Sequence, residues 1–245
     1  MRETKLLMGM PITVDILDPS VSQKNLDRIF AYFTYVDNKF STYKKNSEIS
    51  RINTSKIKNY SSDMVEVLKL CRQTKNETNG YFNILHNGKL DPSGLVKGWS
   101  ILKAANLIKQ MGFIDYYIEA GGDIQVGGKT WTVGIRNPFK IKEIVKIINL
   151  KNKGVATSGT YLRGQHIYNP FFPGREIKDI VSLTVIGPNV YEADRFATAA
   201  FAMGGKGVNF IENLPGFEGY QIDSKGITTM TGNFEKYVQS NSQQN

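Results

Sequence analysis

Residues 154–174 read G-V-A-T-S-G-T-Y-L-R-G-Q-H-I-Y-N-P-F-F-P-G, followed by the apolar run I-V-S-L-T-V-I at 180–186 and by E-A-D-R-F-A-T-A-A-F-A-M-G at 192–204. The middle run has strand length and is rich in branched residues, which predicts a strand. Behind it Asn189 is placed to cap a helix and Gly204-Gly205 to end it. Asp194 and Thr198 lie four apart on that helix, so a carboxylate and a hydroxyl leave one face a turn apart. They are hard oxygen ligands of the kind Mg2+ takes. The small residues Ala156, Thr157, Ser158 and Gly159 let a backbone approach a ligand closely, and His166, one of two histidines, follows downstream. Each residue also has a plainer reading. Asp194 could sit in a first helical turn, where the macrodipole favours a carboxylate, Thr198 could be packing, and His166 could be a surface residue.

Composition narrows the classes around this stretch. The chain has 245 residues, 40% of them hydrophobic, and its 31 Lys and Arg against 22 Asp and Glu give a net charge of +9. That balance suits nucleic acid, an anionic membrane or a phosphorylated small molecule. The basic residues fall in short groups at 44–45, 56–58 and 140–153, without a run of five or a nucleic-acid motif, so no nucleic-acid partner is expected. Cys71 is the only cysteine, which excludes an internal disulfide. Residues 1–17 lack the apolar core of a signal peptide, and no stretch reaches the roughly 18 apolar residues of a membrane span. The expectation is no membrane span and a cytoplasmic location.

The rest of the chain alternates short strands with amphipathic helices. Residues 5–17 predict a strand pair, or one strand broken at Gly9 and Pro11. Leu26, Ile29, Phe30 and Phe33 make one helical face behind a Ser22 cap, and Ser47 is placed to cap a short helix. Asp63 and Glu66 resemble a capping box before a helix that buries Met64, Val67, Leu68 and Cys71. The turn-rich residues 79–99 enter a further helix, ended by Gly112, whose N-terminus could cradle a phosphate. Residues 116–128, 131–135 and 143–149 have the spacing of a meander, and 219–223 with 227–231 that of a hairpin. A single α+β domain over residues 1–238, with mixed or antiparallel sheets, flanking helices and a polar tail at 239–245, accounts for the whole.

Seven motifs then stand in one order: F-S-T-Y-x-x-x-S-E-I-S-R-I-N (40–53), Y-F-N-I (81–84), D-P-S-G-L-V-K-G-W (91–99), A-G-G-D-I (120–124), A-T-S-G-T-Y (156–161), H-I-Y-N-P-x-x-P-G (166–174) and A-D-R-F-A-T-A-A-F-A-M-G (193–204). In this register the chain resembles the ApbE family, the FAD:protein FMN transferases, over nearly its whole length. The resemblance implies an ApbE-like, T-fold-like architecture. It implies that Met8, Tyr43, Phe82, Asn83, Ile84, Asp91 and Lys97 hold FAD as substrate, with Thr157 and Ser158 beside them. It implies a metal, Mg2+ or Mn2+, on Asp194, Thr198 and the Gly94 carbonyl, and His166 as the base that activates an acceptor hydroxyl. The acceptor would be a flavoprotein in trans, modified on a Thr or Ser. Departures from the family pattern are a short segment between Phe82 and Asp91, Asn83 in place of an aspartate, and Glu119 in place of an asparagine. The same site would also serve an FAD pyrophosphatase, and a protein that only binds FAD stays open beside it.

Overall fold

The structure, a computed structural model, describes residues 1–160 and 167–239. The chain opens with β1 (Arg2–Leu7) and β2 (Met10–Ile16), joined by Met8-Gly9. Both turn residues have positive φ, at 53° and 73°, as a two-residue hairpin turn matching strand twist requires. Three helices follow, α1 (Gln23–Phe40), α2 (Glu48–Asn53) and α3 (Ser62–Glu77). Ser47 caps α2 as expected, its side chain accepting from the Ser50 N–H. At α3 the cap is Ser61, which accepts from Met64 N, so the expected Asp63–Glu66 box is corrected. Ser61 is itself fixed by both oxygens of Glu48, a long-range contact absent from any local pattern.

A small hairpin, β3 (Leu85–His86) and β4 (Lys89–Leu90), precedes the 18-residue α4 (Ser93–Gln110). Then come β5 (Tyr116–Ala120), β6 (Asp123–Gly127), β7 (Trp131–Arg136), β8 (Ile144–Leu150), β9 (Gly154–Gly159) and β10 (Ile180–Gly187). Asn189 caps α5 (Val190–Ala202) through the Glu192 N–H, and α6 (Gly207–Glu212), β11 (Glu218–Asp223) and β12 (Thr228–Met230) complete the order.

Eight strands form one sheet in the order β1-β2-β5-β6-β9-β10-β11-β12, each neighbouring pair antiparallel. The expected four-stranded meander is therefore only half right. β5 and β6 pair in the sheet, but β7 and β8 form a separate two-stranded layer. The cause lies in the side chains. Val133 and Ile135 of β7 and Ile148 and Leu150 of β8 are buried against Val126, Val155 and Ile222 on the sheet face away from the helices. On the other face α1 and α4 cover β2 and β5, while α5 and α6 cover β9 and β10. The helices pack on one another through Phe40, Met64, Cys71, Leu95 and Trp99. The result is the α+β class, with antiparallel sheets flanked by helices. Among the described residues no helix is long and apolar enough to cross a membrane.

Candidate active site

The site lies where α4 and α5 cross. Gly98 permits the crossing: a Cβ there would fall 2.7 Å from Asp194 Cβ and 2.8 Å from the Val190 carbonyl oxygen. In a regular helix the Gly98 N–H bonds the carbonyl of Gly94. The Gly98 N–H also donates to Asp194 Oδ2 at 2.8 Å, and Thr198 Oγ1 donates to the Gly94 carbonyl at 3.3 Å. Gly94 sits close as well, since a Cβ there would meet Thr198 Cγ2 at 3.1 Å. One carboxylate, one hydroxyl and one carbonyl are thereby gathered by two helices.

The charge balance of this cluster is unusual. Lys97 Nζ lies 2.8 Å from Asp123 Oδ2 and 3.5 Å from Asp194 Oδ1, so two buried carboxylates share one ammonium. Burial raises the Asp194 carboxyl well above the usual carboxylate range, Lys97 opposes the rise, and Asp123 adds to it. A further cation would relieve this imbalance. Among the described residues no three His, Cys, Asp or Glu side chains converge as a complete metal cage. The donors present are those of a hard ion that keeps water and substrate oxygens for its remaining positions, and they fit Mg2+ or Mn2+.

Asp194 and Thr198 open into a cavity of about 380 Å³. Gly94, Lys97 and Asp91 line it, with Phe82, Asn83 and Ile84 on one wall and Thr157 and Ser158 on another. Ten of the residues singled out from sequence thus surround one space. Tyr43, 96% exposed, lines an adjoining cavity of about 590 Å³ with Lys45, Lys56 and Lys89, and His86 and Asp91 border both. Met8 sits in the β1–β2 turn, packed against the core between α1 and α4, and borders neither cavity. His166 lies outside the described residues, as does the tail beyond Gln239.

The N-terminus of α4 is less open to an anion than the sequence suggests, because Asp91 Oδ1 already accepts from Ser93 N at 3.0 Å. The short segment between Phe82 and Asp91 is braced from outside. Tyr168 donates its hydroxyl to the Asn83 and Leu85 carbonyls, its ring lies 4.2 Å from that of His86, and the Asn53 amide bonds the backbone of Leu90 in both directions. Glu119 accepts from Gly122 N and so holds the glycine turn that leads into Asp123.

Three residues of this architecture were not singled out from sequence. Asp123 is fully buried and also accepts from Thr157 N at 3.2 Å, tying β6 to β9. Tyr168 belongs to a quoted motif, but its role depends on a contact 85 residues away. Arg195, beside Asp194, is 5% exposed and pairs with Glu77 and Glu192, pinning α5 to the end of α3. Motif membership was the signal available for all three.

Comparison with known proteins shows what the chain as a whole is similar to. A family model described as the ApbE family matches residues 8–87 and 85–220. The FAD:protein FMN transferase of Haemophilus influenzae is 24% identical over 323 aligned residues, covering 98% of this chain and 93% of that protein. That of Escherichia coli K12 is 27% identical over 62% of this chain, and the match spans 48% of the longer protein. Among solved structures, the flavin transferase ApbE from Vibrio cholerae shares the fold with a TM-score of 0.84 at 21% identity, covering 97% of this chain and 98% of that one. The ApbE protein from Thermotoga maritima gives 0.87 at 18% identity, over 98% and 99%.

Proposed function

The chain belongs to the ApbE family, and on that footing we propose that it transfers FMN from FAD to a Thr or Ser hydroxyl of a partner flavoprotein. The acceptor oxygen forms a bond to the FMN-side phosphorus, the pyrophosphate bond to AMP breaks, and the acceptor proton is taken up by a base. The observation that carries this reading is the buried Asp194 with the half-buried Thr198 and Gly94 carbonyl beside Lys97, in a cavity large enough to admit part of a dinucleotide.

Asp194, Thr198 and the Gly94 carbonyl would hold Mg2+, which when bound supplies charge neutralisation at pyrophosphate oxygens. Lys97, anchored by Asp123, would offset charge on the departing phosphate. Phe82, Ile84 and Asn83 would wall the substrate, Thr157 and Ser158 would face it across the cavity, and Tyr43 would border the portion that extends into the second cavity. Met8 would act from the turn behind them. His166 is assigned the proton transfer from the family motif, since an imidazole with a pKa near 6.5 suits that task at neutral pH. The proposed setting is the cytoplasm, with the acceptor reached in trans.

The test is to incubate the protein with FAD, Mg2+ and an acceptor bearing a flavinylation sequence, then follow AMP and flavin fluorescence on the denatured acceptor. Labelled acceptor with stoichiometric AMP supports the transferase. AMP and free FMN without labelling would make it a pyrophosphatase, and intact FAD a binder. Full transfer by His166→Ala would remove the base assignment.

A further inference from the structure

The basic group at 140–153 takes no part in the site above. It belongs to the β7–β8 hairpin, whose connecting loop carries Phe139 and Ile141, 55% and 49% exposed. That loop meets the β11–β12 turn: a Cβ on Gly226 would lie 3.7 Å from the Phe139 ring, and Ile227 beside it is 61% exposed. Three large apolar side chains therefore stand at the tips of two adjoining turns. Their surroundings are basic. The two turns and their flanks, residues 136–143 and 223–227, hold Arg136, Lys140, Lys142 and Lys225 against the acids Glu143 and Asp223. Lys140 pairs with Glu143 at 3.1 Å and the Asp223 carboxylate accepts from the Lys225 and Ile227 N–H groups, which leaves the side chains of Arg136, Lys142 and Lys225 without an ion pair among the described residues.

We propose that this end of the molecule is a peripheral docking surface for an anionic lipid bilayer. Apolar tips ringed by cations match a headgroup region that offers negative charge outside and hydrocarbon beneath. Their convex placement on two turns suits insertion between headgroups better than the flat, closely packed face that a protein partner needs. The register of the sheet sets the orientation. Ser182 pairs with Gly159, which borders the candidate site, and Ile180 pairs with Asp223 at the start of the same turn. Docking would hold the cavity end of the sheet toward the membrane.

The test is co-sedimentation of the full chain with vesicles of phosphatidylglycerol and phosphatidylcholine in equal parts, against phosphatidylcholine alone. Binding is expected to the anionic vesicles and to fall steeply with added salt. The double variant Phe139→Ser/Ile141→Ser should weaken it at least tenfold at an unchanged melting temperature. Lys142→Glu/Lys225→Glu should weaken it roughly tenfold or more. Absence of binding, equal binding to both vesicle types, or retention by both variants overturns the proposal. So does self-association in the ultracentrifuge that the serine variant abolishes, which would give this face to a second copy of the chain.

Discussion

The Gly98 N–H and Lys97 favour the charge of Asp194, while burial and the neighbouring Asp123 disfavour it. Asp194→Asn keeps an acceptor for Gly98 while removing the charge. It should leave the melting temperature of the metal-free protein unchanged or higher, while Mg2+ affinity by calorimetry and FMN transfer fall by roughly a hundredfold or more. Cys71 behaves in the opposite sense to a reactive thiol, since burial pushes it up to about 12. The folded protein should leave an aromatic disulfide reagent unreacted near neutral pH and release its single thiol only on denaturation. The neutral thiol is favoured by the fold, so its contribution to stability is intact below the ordinary thiol range and is lost as pH rises toward about 12. Both residues were legible in the sequence, Asp194 from its spacing to Thr198 and Cys71 from its place on an apolar helical face. Asp123 was visible only as part of a turn. Its burial arises because β6 pairs with β9, whose Thr157 N–H it accepts from 34 residues downstream.

At the level of elements, the crossing of α4 and α5 depends on one missing side chain. Gly98→Ala would drive a methyl into Asp194 Cβ and the Val190 carbonyl, neither of which is a flexible side-chain end. The cost should be about 1–3 kcal/mol in denaturant unfolding, with loss of metal binding as α5 is pushed away. Helix faces and caps were readable in advance where the signal is local, as at Ser47 and Asn189. It failed at Ser61, whose capping geometry is fixed by Glu48 from another helix, and at β9. The run G-V-A-T-S-G, read only as small residues that admit a ligand, becomes a strand because β10 offers it a full ladder of partners from Gly187 to Ser182. The β7–β8 hairpin was recognised as strands but misplaced, since spacing along the chain does not tell whether a hairpin extends a sheet or lies on it.

For the whole molecule, ligand binding should be felt as stability. FAD with Mg2+ at about a hundred times its dissociation constant should add about 2.7 kcal/mol, raising the melting temperature by roughly 5–11 °C, and a chelator should remove the Mg2+-dependent part. The family was legible because its motifs stand in one order from residue 40 to residue 204, and the fold then gathers them around two adjoining cavities. The same spread governs how the chain reaches its fold. β2 finds its inner neighbour only when β5 arrives, with Ile12 opposite Ala120 more than a hundred residues downstream. During synthesis that interval lasts on the order of 5–20 s. Until it ends, the first hairpin offers the nascent chain's surroundings an open row of backbone amides and carbonyls, and Ile12, Val14 and Ile16 stay without the strand that completes their layer. That open edge is what a ribosome-associated chaperone would meet, long before α4 and α5 exist.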